Sequence, residues 1–162
     1  MSDGLTHLDA AGSARMVDVS GKDVTVRTAT ATGRVLVSPE VVRLLRDGGM
    51  PKGDALAVAR IAGIQAAKRT PDLVPLCHPI AIHAVAVDLT VEDAAVEITA
   101  MVRTADRTGV EMEALTCVAV AGLALVDMVK AVDPAATITD IRVETKTGGA
   151  SGDWRRPAGA PG

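Results

Sequence analysis

The chain has 162 residues, enough for one domain with its own hydrophobic core. It carries a net charge of −3 and contains neither Tyr nor Phe, so Trp154 is its one aromatic side chain. This composition argues against single-strand nucleic-acid binders, which stack bases on aromatic rings, and against DNA-binding domains, which are strongly basic. The apolar fraction of 48% excludes a disordered chain, and small and β-branched side chains must fill the core.

The sequence also bounds the compartment and the metal chemistry. No uninterrupted apolar run approaches the roughly 20 residues of a membrane span, and the first residues lack the regions typical of a signal peptide. We therefore expect a cytoplasmic protein that binds neither membrane nor nucleic acid, with Cys77 and Cys117 as reduced thiols. The spacings CxxC, HxxxH and HExxH do not occur, and we expect no metal site.

The N-terminal half predicts an arm, a strand and two helices. Residues 1–15 are small and polar and predict a flexible N-terminal arm. Apolar residues that alternate over 24–37 predict one strand or two strand pieces. The Ser-Pro pair at 38–39 is typical of a helix start and predicts a short helix that ends at Gly48. A second helix is predicted over about 54–69, with an aspartate as its N-cap.

The C-terminal half predicts a hairpin, a long helix and a last strand. Alternation over 85–91 and 96–102, with a polar turn between them, is typical of a β-hairpin. The longest helix is predicted over about 110–132, and a last strand over about 141–145. The order βα(α)ββαβ predicts an α+β fold of the ferredoxin-like βαββαβ type, an antiparallel sheet with helices on one face.

We expect a single catalytic domain over residues 16–147, followed by a Gly- and Pro-rich C-terminal tail over 148–162. The long helix is apolar nearly all round, whereas a helix in a two-layer domain should present a polar face to water. Its second face, which includes Cys117, Leu123 and Val129, predicts contact with another subunit. The alternative is that the N-terminal arm covers this face.

Charged residues at the two ends of the long helix are candidates for a site. Asp127 lies in an apolar stretch with Lys130 one turn further on, which favours a partly buried ion pair with perturbed acid/base behaviour over an ordinary surface pair. Glu111 and Glu113 in the first turn either stabilise the helix end or bind a ligand. The helix from Glu111 to Asp127 spans about 24 Å, so a site that uses both ends must be built from two subunits.

Three further residues are candidates for contact with a phosphorylated ligand. His78 lies between Pro75 and Pro79, and the restricted backbone suits a ligand-contacting imidazole, although a lone loop histidine is more often merely exposed. Lys52 precedes a helix, and Lys146 precedes a Gly-rich loop. Both positions would let backbone N–H groups and an ammonium meet phosphate oxygens together, whereas the alternative is two solvated surface lysines.

Six strings occur in order over residues 5–154: LTHLDAAGSARMVDVS, KGDALAVARIAGIQAAKRT, PLCHP, TGVEMEALT, VDMVKAV and KTGGASGDW. Together they resemble the MoaC family of molybdenum cofactor biosynthesis. The resemblance implies a phosphorus–oxygen lyase, a cyclic pyranopterin monophosphate synthase that acts on 3′,8-cyclo-7,8-dihydroguanosine 5′-triphosphate and releases pyrophosphate. It also implies a homohexamer, a trimer of dimers with sites between subunits, and a radical SAM enzyme that supplies the substrate.

The resemblance further implies roles for individual residues. We expect no cofactor of the chain's own, and a need for Mg²⁺ stays open because a triphosphate substrate is able to bind it. Asp127, supported by Lys130, matches the family's catalytic acid/base, and we expect Asp127, Lys130, His78 and Lys52 to be the catalytic residues. The substrate-binding residues that the resemblance implies are Leu76, Cys77, His78, Glu111, Met112, Glu113 and Lys146. Family members often have a lysine where Ala150 stands, which removes one cation from the Gly-rich loop. The alternative functions are an inactive paralogue and a regulatory module that binds a small phosphorylated ligand.

Overall fold

The elements follow the predicted order, with two additions. The computed structural model describes residues 7–159. Its elements are β1 (Thr25–Leu36), α1 (Pro39–Asp47), α2 (Ala55–Lys68), α3 (Thr70–Leu73), β2 (Ala84–Val91), β3 (Ala95–Asp106), α4 (Glu111–Val129), β4 (Thr137–Thr147) and β5 (Trp154–Arg155). The short helix α3 and the two-residue strand β5 were not predicted, and β4 is longer than the predicted last strand.

Both predicted helix starts are confirmed by side-chain caps. The Ser38 hydroxyl accepts a hydrogen bond from the Val41 N–H at 3.3 Å, and the Asp54 carboxylate accepts one from the Ala57 N–H at 3.0 Å. Each cap satisfies a backbone donor that has no partner inside its helix. Helix α1 ends at Gly48, whose φ of 71° is the left-handed conformation that glycine adopts most readily.

The strands form one antiparallel sheet in the order β2-β3-β1-β4-β5. The predicted hairpin is β2 and β3, and β1 lies between β3 and β4. The first four strands and their connecting helices have the ferredoxin-like arrangement, which confirms the predicted α+β fold. Strand β5 extends the sheet at its outer edge, where Trp154 is the cross-strand partner of Lys146. Residues 154–155 of the predicted tail are therefore part of the sheet.

The core lies between α4 and one face of the sheet, and it is built from small and branched side chains. Val35, Ile98 and Val102 are buried on the sheet. At Gly33 an added Cβ would lie only 2.6 Å from the Val118 Cγ1. Helix α4 thus approaches β1 at a separation that leaves no room for a side chain at this position.

Helix α2 covers much of the second face of α4. An added Cβ at Gly63 would lie 2.9 Å from the backbone oxygen of Cys117, so the two helices pack nearly backbone to backbone. Cys117 and Val129 are fully buried inside the single chain. The prediction that another subunit or the arm must cover this whole face is therefore wrong, because α2 supplies the cover. Leu123 remains 60% exposed, and that part of the face has no cover within residues 7–159.

Within residues 7–159, α4 is the one helix long and apolar enough to cross a membrane by length and composition. Half of its apolar window is buried inside the fold. The core helix of a water-exposed domain meets the same two criteria, and the contacts of α4 with the sheet and α2 are those of such a core helix.

The first described residues form a local turn. The Asp9 carboxylate accepts hydrogen bonds from the N–H groups of Ala11 and Ser13, each at 2.9 Å, and Leu8 forms a bridge with Ala14. The predicted arm therefore contains regular hydrogen bonding from residue 7 onward. Residues 1–6 of the arm and residues 160–162 of the tail lie outside the described residues, and the flexibility of the arm stays a prediction.

The close α2–α4 contact predicts opposite outcomes for two helical glycines. We expect Gly63→Ala to lower the free energy of unfolding by about 1–2 kcal/mol, because the new Cβ meets backbone that must shift. The matched control is Gly122→Ala in α4, where an added Cβ would lie 3.4 Å from Ile138, an ordinary contact. This variant should gain about 0.5–1 kcal/mol from helix propensity. Urea unfolding measures both, and equal stabilisation would show that the contact is not tight.

Candidate active site

A cavity of about 310 Å³, here the main cavity, opens at the N-terminal end of α4. Its walls come from the segment before β1, from the loop before β2 and from the first turn of α4. Six of the seven residues predicted to bind substrate line it: Leu76, Cys77, His78, Glu111, Met112 and Glu113. The structure therefore brings together residues that lie more than 30 positions apart in the sequence.

A second cavity of about 220 Å³, here the cationic cavity, adjoins the main cavity. The two share Lys22, Thr108, Gly109 and Glu111 in their walls. Lys146, the seventh predicted residue, lines the cationic cavity and lies 3.5 Å from the Glu111 carboxylate. The cationic cavity thus extends the main cavity toward the Gly-rich loop.

Two cations of the cationic cavity, Lys22 and Arg27, were not among the predicted site residues. The Arg27 Nε donates a hydrogen bond to the Asp106 carbonyl at 3.3 Å. An added Cβ at Gly149, which has a φ of 82°, would collide with the Arg27 guanidinium. The signal in the sequence is an arginine inside an otherwise alternating strand, followed far downstream by a pair of glycines. Only the fold shows that these positions meet.

Glu113 is the buried titratable group of the main cavity. It is 3% exposed, although it lies in the first turn of a helix, where carboxylates usually face water. Burial, with a smaller contribution from the charge of Glu111, raises the pKa of Glu113 to about 7. Near neutral pH this carboxyl group therefore holds a proton in a substantial fraction of molecules and is able to donate it.

The predicted contact residue His78 forms part of the wall and also holds the chain. Its Nε2 lies 2.5 Å from the Val17 carbonyl oxygen. A carbonyl oxygen accepts only, so Nε2 carries the proton of this hydrogen bond. One nitrogen of the ring is thus committed to the segment before β1, and Nδ1 is the nitrogen left for other partners.

Both cysteines are free thiols, in keeping with the predicted reduced state. Burial raises the pKa of the Cys77 thiol, and the charge of Glu113 raises it further. Burial raises the pKa of Cys117 to about 12. Neither sulfur is a thiolate near neutral pH, so Cys77 contributes to the main cavity as a small, weakly polar wall residue.

The Asp127 cluster lies at the other end of α4. The Lys130 Nζ is 2.8 Å from one Asp127 carboxylate oxygen, and the Lys52 Nζ is 3.4 Å from the other and 3.1 Å from the Asp127 carbonyl oxygen. Hydrogen bonds from Lys130 and then Lys52 hold the pKa of Asp127 below its usual range. The group is therefore an ionised carboxylate near neutral pH, and the two ammonium groups make it a weaker base than a free aspartate.

The prediction that the Asp127 pair is partly buried is wrong for the single chain. The Asp127 side chain is 56% exposed, and that of Lys130 is 59% exposed. Asp127 follows exposed Leu123 by four residues, which places the two on the same face of α4, away from the sheet and α2. Asp127, Lys130 and Lys52 line neither cavity. One chain thus keeps the two sets of site residues apart, as the length of α4 predicts.

The fold and the two joined cavities define a ferredoxin-like domain whose site suits a small anionic ligand. The chain belongs to the MoaC family, whose family model matches residues 16–149. The comparison confirms the resemblance found in the sequence.

Three relatives show how far the likeness extends, and each is named cyclic pyranopterin monophosphate synthase. The protein from Streptomyces coelicolor is 73% identical over 154 residues, which cover 95% of this chain and 91% of the relative. The protein from a Nocardioides species is 71% identical over 94% of this chain and 96% of the relative. The protein from Parvibaculum lavamentivorans is 60% identical over 93% and 96%.

The buried Glu113 predicts a pH dependence of stability. Its pKa is about 7 in the folded chain against 4.5 for a free side chain, so the folded state binds more protons between these values. The free energy of unfolding should therefore fall by about 1–3 kcal/mol as pH rises from 4.5 to 7 on account of this group. Glu113→Gln, which mimics the neutral acid, should remove this fall. Urea unfolding of both proteins at pH 5 and pH 7.5 measures this difference. An equal fall in the free energy of unfolding in the variant and the unaltered protein would contradict the prediction.

Proposed function

We propose that this chain is a cyclic pyranopterin monophosphate synthase that acts in molybdenum cofactor biosynthesis. Its substrate is then 3′,8-cyclo-7,8-dihydroguanosine 5′-triphosphate, and its products are cyclic pyranopterin monophosphate and pyrophosphate. Relatives of that name at 60–73% identity over nearly the whole chain support the proposal. The structural observation that carries it is the junction of the main cavity with the cationic cavity, since such a substrate has one compact ring system and one polyanionic tail.

The two cavities divide the substrate between them. Lys22, Arg27 and Lys146 bring three positive charges to the cationic cavity, where the triphosphate binds. The N–H groups of the first turn of α4 favour an anion at the same place. The guanine-derived ring lies in the main cavity against the aliphatic side chains of Leu76 and Met112.

The charges of the two carboxyl groups suit the proton transfers of the reaction. Formation of the cyclic phosphate requires a hydroxyl of the substrate to attack the α-phosphorus while the bond to pyrophosphate breaks. Ionised Asp127, with Lys130 and Lys52 beside it, accepts the hydroxyl proton, and the cations of the cationic cavity neutralise the charge on pyrophosphate. Protonated Glu113 and the imidazole of His78 supply and carry protons during rearrangement of the ring.

A complete site then needs two chains, since Asp127 lies about 24 Å along α4 from Glu111. The proposed assembly is a homohexamer, a trimer of dimers, in which one subunit supplies the two cavities and another supplies the Asp127 cluster. Exposed apolar side chains on the helical layer support an interface there: Val58 and Ile61 on α2 and Leu123 on α4 are 43–60% exposed.

The remaining requirements follow from the substrate. A triphosphate binds Mg²⁺ through its own oxygens, so the metal enters with the substrate and the chain needs no resident cofactor. A radical SAM enzyme upstream supplies the cyclised nucleotide. A cytoplasmic location completes the proposal, in keeping with the use of a GTP-derived substrate.

The direct test is an assay of the purified chain with the cyclised GTP intermediate, in which pyrophosphate and a fluorescent pterin derivative are measured. We expect both products from the unaltered chain. Asp127→Asn and Glu113→Gln should each lower kcat by about 100-fold or more, since each loses a proton-transfer group. The matched control is Asp133→Asn, because Asp133 caps a turn outside the candidate site. Binding of the substrate without formation of either product would overturn the proposed enzymatic activity. The chain would then be a binding-only paralogue or a regulatory module.

The shared site predicts complementation between inactive chains. Mixed oligomers of Asp127→Ala and Glu113→Ala chains contain some sites with both residues intact, so we expect activity to reappear at up to about a quarter of that of the unaltered protein, from random mixing of the two chains. Mass measurement must first show that the assembly is oligomeric and mixed. No recovery in verified mixed oligomers would contradict a site built from two subunits.

A further inference from the structure

Residues 16–22, here the strap, form part of the wall of the main cavity and pair with no strand of the sheet. Val17, Val19 and Lys22 face the main cavity. Residues 16–20 also line a further cavity of about 520 Å³, which shares Val17, Val19, His78 and Thr108 with the main cavity. The strap thus borders two spaces, and its position depends on the hydrogen bonds that hold it.

Two side chains hold the two ends of the strap by its carbonyl oxygens. The His78 Nε2 binds the Val17 oxygen at 2.5 Å, and the Arg107 Nε donates to the Lys22 oxygen at 3.0 Å. The Lys22 N–H also donates to the Val19 oxygen at 3.0 Å, which closes a turn just before the Arg107 contact. Arg107 therefore fixes the backbone of Lys22 from outside.

Lys22 lies at the point where the main cavity and the cationic cavity meet, since it lines both. Among the contacts of residues 7–159 it makes no ion pair, whereas Lys146 already lies beside Glu111. Arg107 lines neither of these two cavities; it lines the cavity of about 520 Å³ beside the strap and is exposed at the surface. Arg107 contacts the backbone of Lys22 and does not line the two cavities in which the ligand would lie.

We propose that Arg107 is a positioning residue, which holds the Lys22 ammonium at the junction of the two cavities and thereby sets the affinity for the pyrophosphate part of the ligand. The inference rests on the proposed function, which places phosphates in the cationic cavity. Arg107 acts through one directed hydrogen bond to a carbonyl oxygen, and its positive charge is not the property that matters.

Two substitutions separate the hydrogen bond from the charge. In Arg107→Gln the amide nitrogen occupies the place of the arginine Nε, so the donor is kept while the charge is lost. In Arg107→Met a methyl group occupies that place, so donor and charge are both lost at similar length. The side chain is exposed, and we expect both variants to fold with urea midpoints close to that of the unaltered protein.

The experiment measures pyrophosphate affinity by calorimetry on the full chain, with the fluorescence of Trp154, the cross-strand partner of Lys146, as a second signal. We expect Lys22→Met to weaken binding by about tenfold, as loss of one charged contact does. Arg107→Met should weaken binding by about three- to tenfold, and Arg107→Gln should stay within about twofold. The double variant Lys22→Met/Arg107→Met should bind no more weakly than Lys22→Met alone, since both act through one ammonium.

Two further readouts separate positioning from a general structural role. Arg107→Met should raise KM for the nucleotide while kcat changes by less than about twofold. Amide hydrogen exchange of the strap should quicken in Arg107→Met and stay unchanged in Arg107→Gln.

The outcomes distinguish failure of this inference from failure of the proposed function. Lack of pyrophosphate binding, or full affinity in Lys22→Met, would overturn the phosphate placement and the role of Arg107 with it. Weak binding in Lys22→Met combined with full affinity in Arg107→Met would overturn the role of Arg107 alone. So would equal losses in the Gln and Met variants, or additive losses in the double variant.

Discussion

The architecture depends on the close packing of helix α4 on both sides, against strand β1 on one and against helix α2 on the other. Gly33 and Gly63 lie at the two contact points, where a single methyl group would meet Val118 or the Cys117 backbone. A core without Phe and Tyr fills its volume by bringing backbones together, because it lacks large rings to place between them. Because the long helix α4 is packed tightly on two sides, the residues at its two ends are held in fixed positions.

The two ends of that helix have opposite electrostatic characters. At the N-terminal end Glu113 is buried and makes no ion pair within residues 7–159, and burial raises its pKa to about 7. At the C-terminal end Asp127 is exposed between two ammonium groups, which lower its pKa. One element thus presents a carboxylic acid and a carboxylate near neutral pH, and the sign of each difference follows from desolvation at one end and charge pairing at the other.

Local signals in the sequence predicted most of the fold. The caps at Ser38 and Asp54 and the period-two strands depend on neighbouring residues, and the structure has them where the sequence predicts them. The cover of α4 by α2 was not predicted, since it depends on which faces of two distant helices meet. Exposure of Asp127 was not predicted either. Its apolar neighbours in the sequence lie on all sides of the helix, so they do not indicate which side faces solvent. The Arg27 guanidinium packs against Gly149, which lies 122 positions later in the chain, and no local sequence pattern predicts this contact.

Two residues far apart in the sequence, His7 and Trp154, lie beside the candidate site near the two ends of the described range. His7 lines the main cavity, and Trp154 pairs with Lys146 beside the cationic cavity. A chemical label on His7 or Trp154 would therefore stand at the walls of the two cavities and change the groups that meet a ligand. Labels for affinity measurements with anionic ligands are better attached to the solvent-facing side of α1, where Arg43 and Asp47 are exposed.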